Sequence, residues 1–213
     1  MTSEYTLDAL IASYPCLAAC RDDVAAARDL LIDTARRGGT VLVCGNGGSC
    51  ADSDHIVGEL MKGFLLTRPM DEQTACAFDQ ALGQEAAAPF KQKLQGGIRA
   101  ISLPAQSAVL SAYANDVDAA YVYAQMVYGY GKPGDLLIGI STSGNSANVV
   151  NAAMVARARG VATLALTGER ESKLSALCDC TVRVPEKETF RVQELHLPVY
   201  HYLCAAVEHA LFG

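Results

Sequence analysis

The stretch Leu136-Leu137-Ile138-Gly139-Ile140-Ser141-Thr142-Ser143-Gly144-Asn145-Ser146-Ala147-Asn148-Val149-Val150 decides how this chain is read. Its first five residues are an apolar run, the pattern of a parallel strand covered on both faces. The run breaks into three hydroxyl residues, a glycine and an asparagine, and residues 147–159 then carry a helical pattern. A strand ending in small polar residues that open a helix presents free N–H groups and the positive end of the helix dipole to the loop. The hydroxyls of Ser141, Thr142, Ser143 and Ser146 add donors. One cap would need one such residue, Ser143 or Asn145; the surplus favours a phosphate cradle over capping alone.

Working outward, the same grammar recurs upstream. Residues 40–44 (Thr-Val-Leu-Val-Cys) read as a strand that runs into Gly45-Asn46-Gly47-Gly48-Ser49 and a helix over 50–62. Cys50 stands where a dinucleotide fingerprint would place its third glycine, so this second loop is an anion site of another kind. On its helix His55 and Glu59 are four apart and share a face. They could share a metal ion or a proton path, or form an ordinary surface pair. Asp52, Asp54 and Lys62 read as solvated.

The remaining strands are expected at 101–103, 162–166 and 180–184. Helices are expected over 85–94, 107–114, 119–128, around 172–177 and over 191–212, the last with Pro198 inside it. Before the first strand, residues 5–38 read as a helical hairpin broken near Pro15 and closed by Gly38-Gly39. Strands alternating with helices imply a doubly wound, mostly parallel α/β sheet, with its ligand crevice at the carboxyl ends of the strands.

Composition narrows the function. The chain has 213 residues, 51% of them hydrophobic, enough for one domain with a substantial core. A net charge of −6 argues against nucleic-acid binding through a basic surface. It also implies that amides and hydroxyls hold a phosphate more than a lysine cluster does. Met1-Thr2-Ser3-Glu4-Tyr5 has no signal-peptide character, and the polar cluster at 141–148 interrupts the uncharged run 136–156. A soluble cytoplasmic protein without membrane or nucleic-acid partners is expected. The eight cysteines form no CxxC pair and read as buried reduced thiols.

Several segments together carry a resemblance. They are the 45–49 loop with His55 and Glu59, Ala114-Asn115-Asp116, the serine loop 139–146, Ala165-Leu166-Thr167-Gly168, and Arg191-Val192-Gln193-Glu194-Leu195-His196 followed by His201. In this order they resemble the phosphoheptose isomerases, sugar isomerase (SIS) domain proteins, over nearly the whole chain. The resemblance implies a single flavodoxin-like SIS domain over 1–213, a five-stranded parallel sheet flanked by helices with the 1–38 hairpin packed on it. It also implies a homotetramer with sites between subunits. The implied reaction is interconversion of sedoheptulose 7-phosphate and D-glycero-D-manno-heptose 7-phosphate through an enediol.

By the same resemblance, Glu59 and His201 are the acid/base pair. Ser141, Thr142, Ser143 and Ser146 hold the phosphate, helped by Asn46, Gly47 and Ser49, while Asp116 and Gln193 contact the sugar. His55, Glu59, Gln193 and His201 match zinc ligands. Gln193 and His201 are two turns apart on one helix, about 12 Å in rise, so both would have to lean inward to meet one ion. His196 lies off that face and reads as structural. Gly63 replaces a basic residue common in the family, with Lys62 the nearest substitute, and the 65–98 segment is longer than usual. The alternatives are a non-catalytic SIS tetramer that binds the replication initiator, a phosphosugar-sensing regulatory domain, and an isomerase of a different ketose phosphate. Three apolar surfaces are expected to meet neighbouring subunits: the N-terminal hairpin, the 65–98 segment, and the last helix at Val199, Leu203, Val207 and Leu211.

Overall fold

The computed structural model describes residues 5–213, so the leader reading of residues 1–4 lies outside the described residues. Five parallel strands form one sheet in the order β2-β1-β3-β4-β5: β1 Val41–Gly45, β2 Ala100–Ser102, β3 Leu136–Ile140, β4 Ala162–Thr167 and β5 Cys180–Arg183. β3 is buried along its whole length, as a central strand with helices on both faces must be. The winding order changes sides at the β1/β3 boundary, so the loops leaving these two parallel strands lie side by side at the switch point. Those are the two small-residue loops of the sequence.

Strand side chains alternate between two cores. Val41, Val43, Leu136, Ile138 and Ile140 face α2 (Arg21–Arg36), α3 (Gly48–Met61) and α10 (Thr189–Phe212). Leu42, Cys44, Leu137 and Ala165 face α7 (Val122–Tyr130), α8 (Ala147–Ala158) and α9 (Lys173–Leu177). The N-terminal hairpin is α1 (Leu7–Ser13), a 3-10 turn at Pro15–Cys20, and α2. Pro15 breaks it as expected, and α2 ends at Arg36 before Gly38, which takes φ +72.

The structure revises the expected surfaces. Val199, Leu203 and Val207 are buried within the chain, because α10 packs between α2 and α3. Val24, Ala27 and Leu31 of α2 are buried by the same contact. Two of the three proposed interfaces are therefore largely consumed internally.

The 65–98 segment holds one helix more than expected, α4 (Glu72–Leu82), followed by α5 (Gln84–Lys93). Asp71 caps α4 by accepting from the Thr74 amide. The two helices pack chiefly on each other through Phe78 against Phe90 and an Asp79–Lys91 ion pair at 2.6 Å. α4 buries no residue and α5 buries only Ala87, so this pair keeps an exposed apolar face at Leu82, Phe90 and Leu94.

α6 (Ser107–Tyr113) leads into a π turn at Ala114–Asp118 and a 3-10 turn at Ala119–Tyr121. All eight cysteines are free. Cys20, Cys44 and Cys204 are buried as expected, with burial raising the Cys20 thiol to about 11, while Cys16 and Cys76 are exposed.

Candidate active site

The serine loop is a folded cradle. The Ser141 amide donates to the Leu166 carbonyl of β4, and the Gly144 amide to the Ser141 carbonyl. Gly144 has φ +64, and a Cβ there would strike Ser172, so the turn needs glycine. The Ser141 and Ser146 hydroxyls are 3.0 Å apart. Ser146 occupies the N-cap of α8, and no side chain caps that helix. The hydroxyls are thus not consumed by capping, and the α8 dipole opens onto the loop.

The crevice beside the loop is lined by Thr142, Ser143, Asn145, Gly168, Arg170 and Lys187. The last two are cations set among Glu169, Glu171 and Glu186 of the same lining, and Lys187 is paired with Glu169 at 3.0 Å.

The 45–49 loop is clasped to the serine loop's helix. Asn46 Nδ2 donates to Asn148 Oδ1 at 2.8 Å, and Asn148 Nδ2 donates back to Asn46 Oδ1 at 2.9 Å. The Tyr123 hydroxyl donates to the Gly45 carbonyl at 2.7 Å, tying α7 to the end of β1. Gly47 and Ser49 stand at the first turn of α3, with Ser49 buried. Asp116 is exposed in the π turn and accepts from Asn115 at 2.8 Å.

α3 and α10 run side by side in the same direction. Gln193 covers Gly48 so closely that a Cβ there would meet its amide at 2.5 Å. Two turns further along, His55 meets His201, with ring centroids 5.0 Å apart and nearly perpendicular. His55 Nε2 lies 3.3 Å from Glu59 Oε1, and Lys62 Nζ lies 3.3 Å from Glu59 Oε2. Phe64 closes over His201 at 5.7 Å. Burial lowers the His201 pKa, neighbouring His55 lowers it further, and Glu59 opposes both. His201 is therefore held as neutral imidazole, able to accept a proton.

Of the nominated residues, the fold gathers His55, Glu59 and His201 and leaves Gln193 at the mouth of α3. The four do not form a metal cage as placed. Among the described residues no group of three or more His, Cys, Asp or Glu side chains is arranged to hold an ion. Both nitrogens of His55 and both oxygens of Glu59 already have partners.

Two further expectations change. Asp52 is not solvated: it is half-buried, accepts from the Tyr200 hydroxyl at 3.3 Å, and has one buried oxygen without a partner. Lys62, beside Gly63, is exposed as expected but also touches Glu59 Oε2 and the Gly63 carbonyl. His196 is structural as expected, fully buried with Nε2 3.2 Å from the Thr167 carbonyl.

Sequence reading missed the frame of this cluster. Arg68 and Glu208 form a fully buried ion pair at 2.7 Å. Glu208 also accepts from the amides of Phe64, Leu65 and Leu66, while Arg68 donates to the carbonyls of Leu60 and Glu59. This knot fixes the chain leaving α3 onto α10, and with it Phe64 above His201.

SIS-domain families match residues 15–95 and 103–206. A phosphoheptose isomerase from Akkermansia muciniphila is 32% identical over 214 residues, covering 99% of both chains. The chain belongs to the phosphoheptose isomerase family. The structure of the phosphoheptose isomerase from Neisseria gonorrhoeae superposes with a TM-score of 0.70 at 29% identity, over 88% of this chain and 86% of that one. The Francisella tularensis phosphoheptose isomerase gives 0.75 at 26% identity, over 93% and 91%. This phosphoheptose isomerase homologue carries the SIS sheet with its serine loop at the switch point. Among the described residues no helix is long and apolar enough to cross a membrane.

Proposed function

We propose that the protein interconverts sedoheptulose 7-phosphate and D-glycero-D-manno-heptose 7-phosphate, with Glu59 and His201 as the acid/base pair. The observation that carries this reading is the packing of α10 on α3, which brings His201 of α10 against His55, the neighbour of Glu59 on α3. Isomerisation takes a proton from C1 of the ketose and returns it to C2 through an enediol, while a hydroxyl proton moves from O1 to O2. That needs one group to take and return the carbon proton and one to relay a proton between the oxygens, close together. A carboxylate and a neutral imidazole meet the requirement. The phosphate, held by Ser141, Thr142, Ser143 and Ser146 with Asn46, Gly47 and Ser49, orients the chain far from the reacting carbons. Asp116 and Gln193 are assigned to sugar hydroxyls. A phosphorylated, charged substrate places the activity in the cytoplasm.

The reading includes a homotetramer with sites completed by neighbours. His201 lines an open groove with Tyr5, Leu10, Tyr14, Leu197 and Pro198 that a second chain would close. The exposed face of the α4–α5 pair supplies a further apolar contact. Light scattering at micromolar concentration checks it, a stable monomer being the adverse result. The reading also includes zinc, with His55, Glu59, Gln193 and His201 as the residues that would hold it; no catalytic step is assigned to it.

The decisive experiment is solvent-deuterium exchange into sedoheptulose 7-phosphate. Wild type should exchange, and Glu59→Gln or His201→Asn should each cut turnover by about two to four orders of magnitude. Absence of exchange in the wild type with several ketose phosphates would leave a binding protein.

A further inference from the structure

The serine loop lies at the carboxyl ends of the strands, and a second polar pocket lies at the opposite, amino-terminal end. It encloses about 450 Å³ between the turns that feed β1 and β3. These strands are five residues each, so about 15 Å of sheet separates it from the serine loop. The floor is bare backbone. Gly38 follows α2 at φ +72 and Gly134 leads into β3 at φ +95, and a Cβ on Gly39 would strike the Gly134 carbonyl. Asp135, nearly buried, clasps the two turns: Oδ1 accepts from the Thr40 amide at 2.7 Å and Oδ2 from the Lys132 amide at 2.9 Å.

The rim is cationic. Arg37, Arg99 and Lys132 line the pocket, with Asp135 the one acid among its lining residues. Arg37 reaches Asp33 at 3.3 Å and complements the end of α2. Lys132 stands just past α7, whereas Arg99 precedes β2 and caps no helix. Among the described residues, the Arg99 guanidinium, the Lys132 ammonium and the Thr40 hydroxyl all lack a hydrogen-bond or ion-pair partner. Like charges collected in one recess repel one another, and a chain of net charge −6 has carboxylates to spare. That none is set against Arg99 or Lys132 marks the recess as a place for an incoming anion. We propose that this pocket binds a small phosphate-class anion, a phosphate ester or diphosphate, with Arg99 and Lys132 as its charge partners and Thr40 as a neutral donor. The guanidinium fork pairs with two oxygens of one centre, and further oxygens are then needed for the ammonium and the hydroxyl. A tetrahedral phosphate has them and a carboxylate does not. The glycine floor lets such a group approach the backbone closely. The assignment does not rest on the isomerase reading, and no step of that reaction passes through this end of the sheet.

Titration calorimetry with pyrophosphate tests the site in the full chain carrying Ser143→Ala and Ser146→Ala, which disables the serine loop. One site per chain should remain, with a dissociation constant below about 1 mM. Adding Arg99→Ser and Lys132→Ser should weaken it about 10- to 100-fold, the weight of one or two charge-assisted hydrogen bonds. Hydrogen exchange at residues 37–40 and 132–135 should slow when pyrophosphate binds, and should not slow in the further variant. Should the fourfold variant fail to fold, Arg99→Gln alone should weaken binding about tenfold. Should the serine substitutions themselves fail to fold, wild type should show two classes of site, of which Arg99→Ser with Lys132→Ser removes one. Affinity unmoved by these substitutions overturns the proposal. So does binding seen only above about 10 mM, which would mean an adventitious ion only.

Discussion

His196 couples the acid stability of the fold to one buried ring. It donates from Nε2 to the Thr167 carbonyl, which leaves Nδ1 bare and buried with no partner. Protonating Nδ1 would place a cation in the core beside no acceptor, and burial lowers the pKa from 6.5 to about 4. The folded value lies below the unfolded one, so between these pH values the unfolded chain binds more protons. The stabilisation is complete above about pH 6.5 and is lost as pH falls toward 4. A drop of this size corresponds to about 3 kcal/mol. His196→Gln keeps an N–H for the Thr167 carbonyl and removes the titration. Urea unfolding midpoints for both proteins from pH 4 to 8 should therefore diverge. Wild type should lose about 3 kcal/mol more than the variant on going from neutral pH to pH 4, most of it below pH 6.5. Parallel stability curves would refute the argument, because no other group differs between the two.

Ser143→Ala with Ser146→Ala should weaken sugar-phosphate binding, each lost bond being worth about 1 kcal/mol or a few, with the circular dichroism spectrum unchanged. Unaltered affinity by calorimetry would remove the cradle. Arg68→Met alone leaves the Glu208 carboxylate buried without its cation and should cost about 3–5 kcal/mol in denaturant unfolding. Adding Glu208→Leu also strands the Phe64, Leu65 and Leu66 amides, so the pair should stay destabilised but cost less than the sum of the two single changes; a purely additive pair would contradict a coupled knot. Metal analysis of protein purified without chelator should find zinc, reduced in His55→Ala; metal-free wild type with full turnover would exclude a required ion.

What the sequence disclosed, and what it hid, follows from the range of the interactions involved. β3 spans the five residues anticipated for it, because a strand buried on both faces must be apolar throughout and writes itself as a run. The two loops were legible for a similar reason: close turns and anion sites draw on few residue types. α4 was missed although its Asp71 cap and its Ala75, Phe78 and Leu82 spacing were in plain view, because the short stripe is diluted by Pro69 upstream and Gly83 downstream. His55 and Glu59 announced themselves by spacing, being neighbours on one helix. Asp52 and Tyr200 could not, because their meeting depends on how α10 lies against α3, and residues 148 apart carry no periodic relation. Arg68 and Glu208 were hidden likewise, as an ion pair that only the folded chain brings together. Gln193 was assigned with His201 from family likeness, and the rise of the helix that separates them is what keeps it at Gly48.

The parallel course of α3 and α10 acts as a measuring rod. From Gly48 to His55 is seven residues, about 10 Å of axial rise, and from Gln193 to His201 is eight, about 12 Å. Under the proposed assignment one end of the rod grips the phosphate and the other addresses the reacting carbons. Its graduations are backbone hydrogen bonds, so substitutions in the loops alter how firmly a sugar phosphate is gripped without altering which carbon arrives beside Glu59. Lengthening either helix by one residue would swing its lower half by about 100° and take the reactive groups out of register.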